Sequence, residues 1–262
     1  MKPEDVLHNW EVPNITTAEI KRANSGLLNK TYLMRAGQSG NDLYVLQLVH
    51  PAVSMDGAMN NYFHVTQFLQ DQGFVTQTLI PTVSGALWVD DTDEPKDAKG
   101  DGWRWRLLRG VEGYVFDKEN DPEVITNDLA KTAGGMLAEF HNALSHYPKK
   151  IVVGRVSHQY GLQFEKFAQF QKQLIADADE SIRNMAQLLV SEMPKLMLPE
   201  DLPKIIVHAD PKVSNFVFNE DKTGVCMIDL DTIQYLTPLF DLGDAMRSWG
   251  GQKEDNAENT FD

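Results

Sequence analysis

Between His208 and Asp231 the chain gathers side chains that can do chemistry together. His208, Asp210, Lys212 and Asn215 fall on one short stretch, and Asp229 and Asp231 follow after an apolar interval. Carboxylate and amide oxygens are hard ligands, and they suit Mg²⁺ better than His or Cys would. A further carboxylate beside such a cation can accept the proton of a hydroxyl group. Phosphoryl transfer needs both services, because it is mostly positioning and charge neutralisation.

The elements around this stretch must bring those groups to one place. Residues 204–207 read as a short apolar strand running into the loop, and 216–218 are extended again. Residues 219–224 form a turn, and 225–228 return as the strand that delivers Asp229. In a hairpin register Asn215 and Asp229 come to the same end, so two oxygen ligands face one metal-sized gap. Asp210 stands five residues before Asn215, near enough for one loop to present both. Taken singly, an Asp or Asn in a loop is an ordinary turn residue. Asp229 at the end of an apolar strand says more, since burying an unpartnered carboxylate is costly. The joint order of types in its strand context points to catalysis.

Upstream, residues 31–34 and 43–49 flank turn chemistry at 36–42 and read as a β-hairpin. Residues 60–72 carry a helical pattern ended by Gly73. Extended runs at 79–89 and 103–108 flank 90–102, a polar stretch read as a mobile hairpin loop. Past a connector at 109–113 the character turns helical. Asp121-Pro122 reads as a cap with proline at the first helical position, and Ala133, Met136, Leu137, Phe140 and Leu144 recur at helical spacing. A second helical region at 158–190 has Leu162, Phe167, Phe170, Leu174, Ile182, Met185 and Leu189 as its buried stripe. The expected organisation is a β-rich lobe at 1–108, a connector at 109–113, and a helical lobe at 114–262 that carries the catalytic hairpin.

Composition narrows the function classes. With 262 residues, 42% hydrophobic and 24% charged, the chain matches ordinary soluble globular proteins. No apolar run approaches membrane-spanning length and the N-terminus has no signal-peptide core, so a cytoplasmic protein without a membrane partner is expected. The single Cys226 lies in an apolar run and reads as a buried thiol. A net charge of -14 repels polyphosphate backbones, and Lys149-Lys150 and Arg104 with Arg106 are too sparse to make a basic patch. Nucleic acid is therefore not an expected partner. A nucleotide with its metal is not excluded, because the cation and a few donors offset local carboxylates. The sequence leaves the oligomeric state open.

His208-x-Asp210-x4-Asn215 followed by Ile228-Asp229-Leu230-Asp231 resembles the signature of the aminoglycoside phosphotransferase and choline kinase superfamily, whose fold is similar to that of protein kinases. Lys212 within the loop, the run Ile228-Asp229-Leu230-Asp231-Thr232, and Phe240-Asp241-Leu242-Gly243-Asp244-Ala245-Met246-Arg247 look most like the N-acetylhexosamine kinase branch. The resemblance covers about residues 24–247. It implies an α+β, bilobal protein-kinase-like fold, ATP and Mg²⁺ as cofactors, and a small-molecule acceptor. An amino sugar or N-acetylhexosamine comes first, with aminoglycoside, choline and homoserine-type acceptors as alternatives. Carried across by position, it implies Asp210 as the catalytic base, Asn215 as a metal ligand, Asp229 as the principal Mg²⁺ ligand and His208 as a brace. Asp231 stays open between a carboxylate behind the ligands, a second-metal ligand and an acceptor contact. Lys212 stays open between a γ-phosphate contact and a solvated side chain, and Asp241 and Asp244 read as capping or bracing residues.

The family places a phosphate-covering loop at 24–31, which makes Ser25, Gly26, Asn29 and Lys30 candidate nucleotide contacts. Protein kinases carry a phosphate-pairing Lys on their third strand. The matching position here is Gln47, which can hydrogen-bond a phosphate but cannot neutralise it. Either Mg²⁺ and another cation such as Lys30 supply that charge, or the chain is a catalytically weak pseudokinase acting as a nucleotide-binding regulator. The adenine is expected against the connector, near Arg109 and Val111. Family members continue past the segment at 240–247 with helices that complete the acceptor pocket. A chain ending at Asp262 is accordingly expected to be truncated there.

Overall fold

Gly37 and Gly40 adopt φ of 85° and 71°, and the turn they allow folds the chain back on itself. The segments on either side become β2 (Lys30–Ala36) and β3 (Asp42–Val49), and β1 (Lys21–Arg22) joins β2 on its outer edge. β2 and β3 pair antiparallel from Lys30↔Leu48 to Ala36↔Asp42, as the turn chemistry predicts. β4 (Thr78–Ile80), β5 (Val89–Asp90) and β6 (Arg104–Arg109) complete a six-stranded sheet in the order β1-β2-β3-β6-β4, with β5 beside β6. The computed structural model describes residues 1–23, 28–97, 100–116, 125–152, 160–176 and 178–250. The chain divides into two compact units, Met1–Arg155 with Lys204–Asp262, and Val156–Pro203.

Strand alternation gives the sheet two buried faces. Tyr44, Leu46 and Leu48 of β3, with Trp105 and Leu107 of β6, pack under the N-terminal segment. That segment contains α1 (Pro3–Val6) and contributes Val6, Leu7, Trp10 and Ile15. Val45 and Leu108 point the other way, onto Tyr62, Val65 and Leu69 of α2 (Asp56–Asp71). Gln47 and Arg106 share this inner face by the period of two, and the two are directly paired in the β3–β6 register.

Two expectations in this region need correction. The helix expected at 60–72 begins four residues earlier, at Asp56. The extended run expected at 79–89 is broken between β4 and β5: Pro81 has no N–H to give a ladder, and Gly85 at φ 84° closes a turn in which Ala86 N–H donates to Thr82 Oγ1. The polar stretch at 90–102 is tied down at its start. Asp91 Oδ1 accepts from the N–H groups of Asp93 and Glu94, and its Oδ2 accepts from Trp105 Nε1 at 2.6 Å.

After β7 (Tyr114–Val115) the Asp121-Pro122 cap lies outside the described residues. Within them α3 (Asn127–Leu144) is capped by Thr126, whose side chain accepts from Leu129 N–H. Leu129, Ala133, Leu137, Phe140 and Leu144 form its buried stripe, as helical spacing predicts. They pack on β8 (Ile205–Val207), β9 (Phe216–Phe218) and β10 (Gly224–Met227). β9 and β10 make the expected hairpin, whereas β8 pairs with β11 (Gln234–Leu236). α6 (Leu239–Gly250) closes this unit, with Trp249 edge-on to Phe216 at 5.3 Å.

The smaller unit holds α4 (Tyr160–Leu174) and α5 (Glu180–Leu196) rather than one helical run. Asp179 stops and restarts the helix by accepting from Ile182 N–H. The expected stripe is not buried along α5: Ile182, Met185 and Leu189 are 49%, 64% and 43% exposed, and Ala186 alone is buried. A lone partner helix covers only a narrow band of its neighbour. The side chains of Leu162 and Leu174 lie outside the described residues, Phe167 is half-buried and Phe170 is exposed. Among the described residues no helix is long and apolar enough to cross a membrane.

β7 lies on β9 because Gly113 lets the two strands meet. At φ 146° a Cβ there would sit 2.6 Å from the Phe218 carbonyl oxygen. Gly113→Ala is expected to lower folding stability by about 2 kcal/mol, the scale of a strained backbone position. Chemical denaturation checks this, and a loss near zero would mean the β7–β9 contact is slack.

Candidate active site

The loop between β8 and β9 is built around a buried carboxylate. Asp241, in the first turn of α6, accepts from the backbone N–H of His208 at 2.8 Å and of Ala209 at 2.7 Å. His141 of α3 places Nε2 2.6 Å from the same carboxylate. Burial pushes the Asp241 pKa up, but the His141 bond, the His208 charge and the two amides together hold it below its ordinary value. Ala209 is thereby held at φ 65°, a left-handed conformation that costs a non-glycine residue roughly 1–2 kcal/mol. His208 is buried too, and its Nε2 lies 2.9 Å from Ile228 O. A carbonyl can only accept, so that nitrogen carries a proton. Thr232 Oγ1 donates to His208 O at 2.8 Å, so one histidine ties the loop to the far end of the hairpin.

Asp210 follows the bend. Asn215 Nδ2 donates to its backbone oxygen at 2.8 Å and to Oδ2 at 3.2 Å, and Lys212 Nζ stands 3.2 Å from the same Oδ2. The Asp210 side chain keeps 25% of its surface open to solvent, so its carboxylate is accessible from outside. With its amide nitrogen on Asp210, Asn215 has Oδ1 to offer an incoming cation. Ile228 N–H donates to Asn215 O at 2.9 Å, which brings residue 229 alongside.

Asp229 sits at φ 63°, another left-handed non-glycine residue. Its carboxylate takes no hydrogen bond from any described residue. Burial first, and then the charges of Asp231 and Asp210, push it from 3.8 to about 7, with Lys212 and Arg106 opposing. A carboxylate crowded by like charges and without donors is what a divalent cation relieves, so the donor set fits Mg²⁺. Among the described residues no group of three or more His, Cys, Asp and Glu forms a metal cage. Mg²⁺ does not need one, because it binds one or two carboxylates together with substrate phosphates and water.

The sheet meets this loop through Arg106. Its guanidinium is wholly buried and grips Asp231 with both arms, Nη1 to Oδ1 at 2.6 Å and Nη2 to Oδ2 at 2.8 Å. Nε and Nη2 also donate to Gln47 Oε1 at 2.9 and 2.7 Å, and the group lies 4.4 Å over the Tyr62 ring. Burial works against the Arg106 charge, and Asp231 more than restores it. Gln47 in turn donates to Thr31 Oγ1 at 3.3 Å.

The other residues read from the sequence fall as follows. Asn29 Nδ2 donates to Asp231 Oδ2 at 3.1 Å, and its Oδ1 accepts from His50 N–H at 3.0 Å. Lys30 is paired with Glu94 and lies 5.0 Å over the Trp103 ring, so the cation expected to serve the phosphates is engaged elsewhere. Arg109 is exposed at the end of β6, with Asp42 at 3.4 Å. Val111 is half-buried in the connector, and its backbone has no hydrogen-bond partner among the described residues. Ser25 and Gly26 lie outside the described residues.

The buried pairing of Arg106 and the part of His141 escaped the sequence reading, which had Asp241 as a capping or bracing residue without its partner. One signal was available for Arg106: a charge in the middle of an apolar central strand, Trp105-Arg106-Leu107-Leu108, demands a buried counter-charge. Nothing local marks His141, which reads as one more polar residue on an amphipathic helix.

The model of the family described as "Phosphotransferase enzyme family" matches residues 19–261. Among solved structures, an amicoumacin kinase in complex with AMP-PNP, Ca²⁺ and Ami is similar with a TM-score of 0.64 at 13% identity, covering 95% of this chain and 69% of that one. A microcompartment-associated aminopropanol kinase gives 0.62 at 17%, covering 93% and 72%. An aminoglycoside phosphotransferase from Alicyclobacillus acidocaldarius gives 0.58 at 17%, covering 95% and 71%. Identities this low establish the fold, and it is the α+β, protein-kinase-like fold expected from the motifs.

The raised Asp229 pKa makes a pH-dependent prediction whose sign is opposite to that of a salt-bridged carboxylate. The folded state holds the proton up to about 7, whereas the unfolded chain releases it near 3.8. The stability this group contributes is therefore full below the lower value and is lost as pH rises through the upper one. Asp229→Asn has no such titration. Without Mg²⁺, its thermal midpoint should gain on the wild type by roughly 5 °C between pH 5 and pH 8. A pH-independent difference would mean that Asp229 is not held under like-charge pressure.

Proposed function

The chain belongs to the phosphotransferase enzyme family, and from that premise we propose that it is a kinase using ATP and Mg²⁺ to phosphorylate a hydroxyl of a small amine-derived acceptor, an amino sugar or N-acetylhexosamine. The observation that carries this reading is the way one residue joins the base to the metal carboxylate. Asn215 donates to the Asp210 carboxylate and accepts from Ile228 N–H, immediately before Asp229. A protein that only bound nucleotide would have no chemical need for that arrangement. The amicoumacin kinase neighbour, in complex with AMP-PNP and Ca²⁺, supports a nucleotide and a divalent cation on this fold.

In the proposed reaction the acceptor oxygen attacks the γ-phosphorus and the bond to the bridging oxygen breaks, so that ADP leaves with that electron pair. Asp210 accepts the hydroxyl proton as the new bond forms. Asn215 and Lys212 fix the direction of its carboxylate, while the Asp241 bracing keeps the backbone bend from relaxing. Asn215 and Asp229 would hold Mg²⁺, which would supply positive charge to offset that of the phosphates. The open backbone of Val111 is available to an adenine edge.

The acceptor class rests on two supports. The motifs of residues 208–215, 228–232 and 240–247 look most like acetylhexosamine kinases, and the neighbours act on aminopropanol or are named for aminoglycosides. A net charge of -14 also favours the approach of an amine-bearing acceptor over an anionic one.

Release of ADP from Mg²⁺·ATP tests the proposal, measured across N-acetylhexosamines, amino sugars, aminoglycosides, choline and homoserine. One or more of the first two classes should turn over, and Asp210→Asn should lower kcat by about 10³, within the range attributed to a general base. Nucleotide binding without acceptor-dependent turnover would sink the enzyme reading, and turnover confined to choline or homoserine would move the acceptor.

A further inference from the structure

Protein kinases hold their third-strand Lys with a Glu from the neighbouring helix. Here the third-strand position is Gln47, and the part of α2 that faces it offers Met59 and Tyr62 rather than a carboxylate. The charge pair is nonetheless present, displaced by one element on each side. The cation stands on the next strand, at Arg106, the direct register partner of Gln47, and the anion comes from Asp231 in the turn after β10.

A guanidinium has five N–H donors in a fixed fork. At Arg106 all are engaged: Nε by Gln47, Nη1 by Asp231 and by Met59 Sδ at 3.8 Å, and Nη2 by Gln47 and Asp231. No donor remains for a phosphate. Asp231 is equally committed, since its two oxygens take the Arg106 fork and Oδ2 also accepts from Asn29. Its side chain is 3% exposed, so it is neither turned to solvent nor free to ligate. Of the two carboxylates in the turn, Asp229 alone is without donors among the described residues.

From these contacts we infer that Arg106 is a positioning residue for phosphoryl transfer: it neutralises Asp231 and pins it to the sheet, so that Asp229 alone faces the metal from that turn. Gln47 is then not a defect. Its Oε1 orients the guanidinium, and a lysine there would set an ammonium against Arg106 at the 2.7–2.9 Å now spanned by hydrogen bonds. The sequence signal that suggested an impaired enzyme marks instead a relocated charge. The inference rests on the assignment of Asp229 as metal ligand made above, and it decides the role of Asp231.

The test is calorimetric titration of the full-length protein with AMP-PNP, with Mg²⁺ and with EDTA, alongside circular dichroism to confirm folding. Wild type should bind at least tenfold more tightly with Mg²⁺. Arg106→Lys keeps the charge but loses the fork, and should lose most of that Mg²⁺ enhancement while its affinity in EDTA stays within about threefold. Gln47→Lys should also lose it, and Gln47→Lys with Arg106→Gln, which moves the cation back to the third strand, should recover most of it. If Gln47→Lys does not fold, the double variant is compared with Arg106→Gln alone, and greater Mg²⁺ enhancement in the double variant is expected. A folded Arg106→Lys protein that keeps the full enhancement and only melts at lower temperature makes the pair a core ion pair and overturns the inference. So does a Gln47→Lys protein that binds more tightly than wild type, or a double variant no better than Arg106→Gln. Absence of Mg²⁺ enhancement in the wild type itself would instead fail the metal-site reading on which the inference stands.

Discussion

Carboxylates of like charge, held together where water is scarce, repel one another by amounts that fold stability cannot ignore. Asp229 and Asp231 are in that position with the partly exposed Asp210 beside them, and the surrounding structure can be understood as three answers to their repulsion. Asp231 is answered by Arg106, with Gln47 and Asn29 completing the pair. Asp210 is answered by Lys212 and by the Asn215 amide. Asp229 has no answer from a hydrogen-bond donor among the described residues, and burial followed by the neighbouring charges raises its pKa to about 7. The unanswered group is the one we propose as the ligand of a divalent cation.

Holding that arrangement needs backbone conformations that the chain would not choose freely. Ala209 and Asp229 are two of the four non-glycine residues with positive φ among the described residues. Each is over-determined by its neighbours: Ala209 by the Asp241 carboxylate, and Asp229 by the hairpin register and the Ile228 bond to Asn215. Strain of this kind persists where the surroundings fix it, and it pre-organises charge before any substrate arrives. The buried Arg106–Asp231 pair belongs to the same economy of position. Such pairs add little net stability, but breaking one leaves a buried charge that costs about 3–5 kcal/mol.

Local chemistry was legible and distant partnership was not. The hairpins at 30–49 and 216–227 follow from turn residues between alternating apolar segments, and the loop at 208–215 could be picked out as a candidate site because its groups are contiguous. Arg106 lies 125 residues from Asp231, and His141 lies 100 from Asp241. Neither separation leaves a local trace. Periodicity marked an apolar face on α5 but could not say what covers it, so Ile182, Met185 and Leu189 were expected inside and stand exposed. Lys30 was the nearest cation to the phosphate-covering loop by sequence, yet the fold sets it on Glu94 and Trp103. The helical pieces of the N-terminal segment are too short to show a period, although Val6, Leu7, Trp10 and Ile15 pack with the residues of one face of the sheet.

The central claim is that one carboxylate of the 229–231 turn serves the metal while the other is held by the sheet. Anomalous scattering from Mn²⁺, in crystals of the full-length protein with AMP-PNP, measures it directly. The account predicts manganese on Asp229 and Asn215 Oδ1, with Asp231 still in the Arg106 fork. Manganese on Asp231, with Arg106 turned to the nucleotide, would contradict it.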